Sequence, residues 1–198
     1  PMGAGLGGGS SNAAVALRAM NQLRGDCMTK ERLRAIAAEL GSDCPFFIDS
    51  IPSKMSGRGE VLEALPVELS KALRGQRVVL FKPDFAINTA VAYNRLNESR
   101  PSVYESLELA ANRFTLFKDT KKLEGLLHNT FEGNLGRKYL AIHCLLTELR
   151  LAGFACLMSG SGSCCFALAQ DAGEVSRIRG ICEEAWGSGI FFIETSIR

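Results

Sequence analysis

The sequence predicts an α+β fold in two lobes. Three observations carry it. Apolar residues recur at three- and four-residue spacing over several stretches, each closed by glycine or a turn signal. Between them lie short β-branched or apolar runs bounded by Gly and Pro. Beyond residue 75 the order is strand, helices, two strands flanking a Gly-Ser turn, helix, strand, which suits a sandwich built on a largely antiparallel sheet. The 198 residues are 46% hydrophobic and 22% charged, enough for a packed core.

Ser10 to Arg24 reads as a helix, with Ala13, Ala16, Leu17, Met20 and Leu23 on its apolar side. Ser10 or Ser11 is expected to cap its start and Gly25 to end it. Thr29 to Leu40 is a second helix, capped by Thr29, striped by Leu33, Ile36, Ala37 and Leu40, and stopped by Gly41. Pro45 holds Cys44 out of helical geometry and is placed to open a short helix, for which Asp43 is a candidate cap. Residues 51–65 read as strands around Gly57-Arg58-Gly59, and 66–75 as a short helix or linker. Gln76 to Phe81 is a buried strand, and the lobe boundary is placed just before it. Asn88 to Leu96 is a short helix, whereas 100–118 is weakly patterned and expected to be partly mobile. Helices follow over 120–131 and 135–151, the second with Tyr139, Ile142, Leu146 and Leu149 on one face. Strands over 154–158 and 164–169 flank Ser159-Gly160-Ser161-Gly162-Ser163. A helix over 172–186 and a strand over 190–195 complete the chain.

The most informative stretch is Pro1-Met2-Gly3-Ala4-Gly5-Leu6-Gly7-Gly8-Gly9-Ser10-Ser11. Five of the seven positions from Gly3 to Gly9 are glycine, so the backbone can take positive φ and turn its N–H groups into an anion-binding concavity. The following helix adds its N-terminal amides and the positive end of its dipole. Both serine hydroxyls are within reach of phosphate oxygens or a metal-bound water. Gly3, Gly5 and Gly8 match G-x-G-x-x-G, but no βαβ unit follows; no Lys follows the glycines as a P-loop requires. The protein-kinase motifs are absent as well.

The net charge of +2 does not argue for nucleic acid or a membrane surface, and no apolar run approaches the ~20 residues of a membrane span. The seven cysteines (27, 44, 144, 156, 164, 165 and 182) are odd in number and without CxxC spacing. They read as small core residues in a reducing, cytoplasmic compartment, or a plastid in a eukaryote. His128 and His143 have no metal-ligand spacing and read as structural or exposed.

The opening stretch resembles the second conserved motif of the GHMP kinase family. Gly41-Ser42-Asp43-Cys44-Pro45-Phe46-Phe47, Gly57-Arg58-Gly59-Glu60, Lys82-Pro83 with Asn88-Thr89 and Tyr93, and Met158 through Ser163 resemble further family segments in the right order. The resemblance implies a two-lobe GHMP-kinase fold. Residues 1–75 would be the remainder of an N-terminal, ribosomal-protein-S5-domain-2-like ATP-binding lobe. Residues 76–198 would be a C-terminal, ferredoxin-like α/β lobe. It also implies ATP as phosphoryl donor on Pro1 through Ser11, and Mg²⁺ carried mainly by the phosphates with Ser10 or Ser11. Asp43 would be the catalytic carboxylate. Tyr93 would lie against a cytosine ring, and Gly160, Ser161, Gly162 and Ser163 near the acceptor. The branch it most resembles phosphorylates the small molecule cytidine-diphosphate methylerythritol, on the non-mevalonate route to isoprenoids. Other small-molecule kinases of the family, and a non-catalytic nucleotide-binding protein, stand as alternatives. Nothing in the chain resembles the family's first, lysine-bearing motif. Because the chain opens with Pro1 inside a motif, it is expected to be N-terminally truncated and inactive by itself.

Overall fold

The computed structural model describes residues 4–98, 104–136 and 138–197. The chain separates into two compact units, residues 7–70 and residues 4–6 with 71–197, and the division falls inside a short helix.

The first unit holds α1 (Gly8–Leu23), α2 (Lys30–Leu40), the single-turn α3 (Phe46–Asp49), a hairpin of β1 (Ser53–Ser56) and β2 (Val61–Ala64), and the start of α4 (Val67–Leu73). Its core is small: Ala14, Leu17, Leu33, Ala37, Cys44 and Ile48, drawn from α1, α2 and the α3 turn. Thr29 caps α2 as expected, its Oγ1 accepting from Arg32 N at 3.3 Å. Gly57 and Gly59 turn the hairpin at φ 69° and 117°.

Helix α1 departs from expectation at its start. It begins at Gly8, and Gly7 in the left-handed region (φ 66°) serves as N-cap with no side-chain bond. Ser10 and Ser11 are therefore inside the helix and not its cap; Ser11 N already donates to Gly7 O at 2.8 Å. The buried face is Ala14, Leu17 and Asn21, while Met20 and Leu23 are exposed. Asn21 earns its buried place through bonds to the turn after the helix: its Oδ1 accepts from Met28 N at 3.0 Å and its Nδ2 donates to Met28 O at 3.2 Å.

The second unit is a four-stranded sheet with helices. Its strands are β3 (Arg77–Lys82), β4 (Cys156–Met158), β5 (Cys165–Ala169) and β6 (Phe191–Ser196), in the order β4-β5-β3-β6, every pair antiparallel. This split arrangement is the ferredoxin-like one: the first strand of the unit sits between the third and the fourth. Between β3 and β4 run α5 (Thr89–Glu98), α6 (Leu107–Thr120), a 3₁₀ turn (Leu123–Leu126), α7 (Thr130–Leu135) and α8 (Leu140–Leu151). Helix α9 (Ala172–Trp186) joins β5 to β6. The core is continuous: Val79 and Phe81 of β3 pack with Leu145, Leu146 and Leu149 of α8, Cys165 and Ala167 of β5, and Ile178 and Cys182 of α9.

Three expectations in this unit are corrected. Much of the weakly patterned 100–118 segment is helix α6, capped by Ser106 Oγ accepting from Leu109 N at 3.2 Å; residues 100–103 of that expectation lie outside the described residues. A helix over 120–131 does not form, because Lys121 closes α6 at φ 59° and Asn129 starts a separate helix. The expected helix from 135 begins only at Leu140, since Leu135 ends α7. Among the described residues, no helix is long and apolar enough to cross a membrane.

Candidate functional site

The glycine stretch sorts into two kinds of residue. Gly5 and Gly7 are glycine because the protein itself leaves no room. A Cβ on Gly5 (φ 73°) would stand 2.1 Å from the Ser159 carbonyl oxygen, and one on Gly7 2.9 Å from the Phe47 ring. Gly8 and Gly9 are different: nothing lies within 4 Å of a Cβ at either. Glycine in a helix costs about 0.5–1 kcal/mol relative to Ala, and here no neighbour among the described residues explains it. The first-turn amides of α1 receive no side-chain cap, and the hydroxyls of Ser10 and Ser11 make no hydrogen bond among the described residues. An uncapped helix start with open space before it and unengaged hydroxyls beside it is suited to an anion that brings its own acceptors. Ala4 through Ser11 of the expected nucleotide stretch are described; Pro1, Met2 and Gly3 lie outside the described residues.

In the second unit, residues 4–6 are tied to the Gly-Ser turn between β4 and β5. Ser159 Oγ donates to Gly5 O at 2.8 Å, and Cys164 N donates to Ala4 O at 3.1 Å. A Cβ on Gly160 would meet Gly5 O at 3.1 Å, and one on Gly162 would meet Met158 Sδ at 2.7 Å, so both glycines permit close backbone packing. The serines of this turn face inward. Ser161, 7% exposed, shares a hydrogen bond with Thr89 Oγ1 at 3.0 Å, and fully buried Ser163 donates to Phe85 O at 2.6 Å. Their hydroxyls are thus engaged within the fold, and Gly160 is the exposed residue of the four. Tyr93 lies on α5, 53% exposed, edge-on to Phe131 with ring centroids 4.9 Å apart.

In the first unit, Asp43 is exposed in the turn before α3. It is not the cap of that helix: Pro45 holds the N-cap position, without a side-chain bond. Asp43 Oδ1 is 3.2 Å from where a Cβ on Gly59 would stand, so the fold brings the Gly41–Phe47 and Gly57–Glu60 motifs together. Its carboxylate has no hydrogen-bond or ion-pair partner among the described residues. Nearby Asp49 is in a different state. Arg34 Nε donates to it at 2.6 Å and Lys30 Nζ lies 3.6 Å away, and the Arg34 hydrogen bond holds its carboxyl below the usual range.

Sequence reasoning missed two residues at this turn, Asn129 and Glu132, which hold its start, and it quoted Thr89 within a motif without giving it the hydrogen bond it shares with Ser161. Asn129 had no local signal, standing between His128 and Thr130, and its partner Gly160 is 31 residues away. Five cysteines are buried as expected, but Cys27 and Cys144 are exposed. No group of three His, Cys, Asp or Glu side chains converges among the described residues.

Residues 1–50 match the GHMP kinases N terminal domain, and residues 100–188 the GHMP kinases C terminal domain. A 4-diphosphocytidyl-2-C-methyl-D-erythritol kinase of Bacteroides thetaiotaomicron is 30% identical over 194 residues, covering 96% of this chain and 64% of the relative. The protein of that name from Pseudothermotoga lettingae is 34% identical over 182 residues, 91% and 64% of the two chains. This chain thus spans somewhat under two thirds of the length of these relatives. The crystal structure of a 4-(cytidine 5'-diphospho)-2C-methyl-D-erythritol kinase superposes with a TM-score of 0.75 at 30% identity, covering 99% of this chain and 68% of the other. A homoserine kinase from Cytophaga hutchinsonii has a TM-score of 0.69 at 19% identity, covering 100% and 67%, a likeness of fold alone.

Proposed function

The chain belongs to the GHMP kinase family, and on that premise we propose that it carries phosphate-binding and catalytic groups of a 4-diphosphocytidyl-2-C-methyl-D-erythritol kinase. The reaction transfers the γ-phosphoryl group of ATP to the 2-hydroxyl of that alcohol. The observation that carries the reading is the open first turn of α1: Gly8 and Gly9 face empty space, and no side chain caps the helix. Residues 1–75 are the remainder of the ATP-binding lobe on this reading, and 76–198 the C-terminal lobe.

Phosphoryl transfer asks a protein mainly for position and charge neutralisation. The amides of Gly8, Gly9 and Ser10 supply N–H donors, and the helix dipole adds partial positive charge. Gly5 and Gly7 shape the backbone leading into them. Asp43, with its carboxylate unengaged, is the group that orients the acceptor hydroxyl and takes its proton. As the acceptor oxygen bonds to the γ-phosphorus, the bond from that phosphorus to the β–γ bridging oxygen breaks, and ADP leaves with the electron pair. In the second unit, Gly160 to Ser163 and the exposed ring of Tyr93 are the candidate groups for the substrate. Described residues build no carboxylate cluster for a metal. Mg²⁺ therefore fits this chain as an ion carried on the phosphates, with the Ser10 and Ser11 hydroxyls as available protein oxygens. When bound, it offsets phosphate charge.

The test is Asp43→Asn in the complete natural protein. General-base contributions run to about 10²–10⁴-fold, so kcat should fall by at least about 100-fold while ATP affinity by calorimetry stays within about threefold. An unchanged kcat would remove Asp43 from the chemistry. Turnover of homoserine or mevalonate in preference to the cytidylylated alcohol would move the assignment to another branch of the family.

A further inference from the structure

Helix α7 is only six residues long and contributes Leu135 to the core. Its N-cap residue Asn129 and its Glu132 nonetheless make several hydrogen bonds outside the helix. The Asn129 amide nitrogen has two hydrogens, and both are used: it donates to Met158 O at 2.7 Å and to Gly160 O at 2.8 Å. Its carbonyl oxygen meanwhile accepts from Phe131 N at 2.9 Å and so starts α7. One turn further on, Glu132 Oε2 accepts from Met158 N at 3.1 Å, and Glu132 Oε1 pairs with Arg150 Nη2 at 2.5 Å. Arg150 Nη2 in turn donates to Cys156 O at 3.0 Å. The Glu132 side chain is only 14% exposed. Three successive alternate residues of one backbone stretch, Cys156, Met158 and Gly160, are therefore gripped by side chains from α7 and α8.

We infer that Asn129 and Glu132 are positioning residues that fix the main chain of the Gly160–Ser163 turn. This inference rests on the reading of that turn as part of the kinase site. The physical reason is that a glycine turn has many backbone states and loses them only if something outside it imposes one. Gly160 and Gly162 both have positive φ, 52° and 79°, and the turn's own bond, Gly162 N to Ser159 O at 2.9 Å, closes only its centre. A second main-chain bond, Ser159 N to Cys164 O at 2.8 Å, closes its base, and neither bond engages the Met158 or Gly160 carbonyl; Asn129 holds both, one before the turn and one within it. That same stretch carries Ser159, whose hydroxyl holds the Gly5 carbonyl. Setting the turn therefore also sets residues 4–6.

The diagnostic variant is Asn129→Asp in the complete natural protein. Aspartate keeps the oxygen that accepts from Phe131 N, so the start of α7 is preserved. It removes both donated bonds and sets an anion against two carbonyls. Glu132→Gln is the second variant; it keeps an acceptor for Met158 N and loses the charge that pairs with Arg150. Two readouts separate the claims. Hydrogen exchange at the Met158, Ser159 and Gly162 amides should quicken by about tenfold or more in Asn129→Asp, while amides of β3 and β5 stay unchanged. Turnover should fall by about tenfold or more, with kcat reduced more than KM is raised. Unchanged exchange at the turn in both variants would overturn the clamp. Faster exchange with turnover intact would overturn its role in positioning. Failure of the unaltered protein to phosphorylate any alcohol would instead retire the kinase reading, while the exchange result would still decide whether Asn129 holds the turn.

Discussion

Identical residues a few positions apart are held for opposite reasons. Gly5 and Gly7 answer to crowding within the chain; Gly8 and Gly9 answer to nothing among the described residues. Substitution should separate them. Gly5→Ala forces a Cβ against the Ser159 carbonyl and a side chain into the left-handed region, which alone costs about 1–2 kcal/mol. A drop in stability of more than about 2 kcal/mol in urea melts is expected. Gly8→Ala or Gly9→Ala should leave stability equal or raise it by up to about 1 kcal/mol, yet weaken ATP binding about tenfold, or ~1.4 kcal/mol, by calorimetry. The cysteines divide in a comparable way. Burial pushes the thiols of Cys156 and Cys164 up to about 11 and that of Cys182 up to about 12, and raises Cys165 well above its usual value. A thiol-specific reagent at pH 8 should therefore modify Cys27 and Cys144 in the native protein, and all seven in denaturant. Rapid labelling of a third native thiol would contradict the burial of the core cysteines.

Among elements, the join between α2 and α3 is electrostatic as well as apolar. Asp49 is held ionised by Arg34 and Lys30, and its side chain is 10% exposed, whereas that of Arg34 is 39% exposed. The solvent reaching Arg34 screens the pair, so Asp49→Asn should cost about 1–2 kcal/mol at neutral pH. Because the folded-state pKa lies below the ordinary carboxylate value of 3.8, this contribution is complete above about pH 5 and disappears as pH falls through the folded value. Wild type and variant should thus converge in stability as pH falls below the folded-state value, in acid titrations followed by circular dichroism. Elements were legible where apolar spacing and a capping residue agreed. Helix α2 had both, its apolar stripe opening on Thr29, and the β3 run was legible from its apolar residues and the proline that follows. They were misjudged where caps competed: two serines promised a cap that Gly7 supplies, and α6 hid because Leu107, Leu109 and Leu116 are exposed and blur its period. In the candidate site, the glycines and Asp43 stood out because their chemistry is local. Asn129 and Glu132 did not, because what they hold lies 26 to 31 residues away.

For the whole molecule, the two units have cores of very different size. Among described residues, six buried apolar residues form the cluster of the first unit and eighteen that of the second. Stability from burial scales with the area removed from water, so unfolding is not expected to follow a single transition. In guanidinium, amides of α1 and α2 should lose protection before those of β3 and β5. One coincident transition by exchange and circular dichroism would show the units to be energetically one.

The tether from Ser159 and Cys164 back to Gly5 and Ala4 bridges more than 150 positions of chain. A ribosome makes residues 4–6 more than 150 positions before it makes their partners. At about 5–20 residues per second, roughly eight to thirty seconds pass before those partners exist. Throughout that interval residues 4–6 lack these partners, so a nascent chain stalled before residue 159 should not yet have this part of the glycine loop in place.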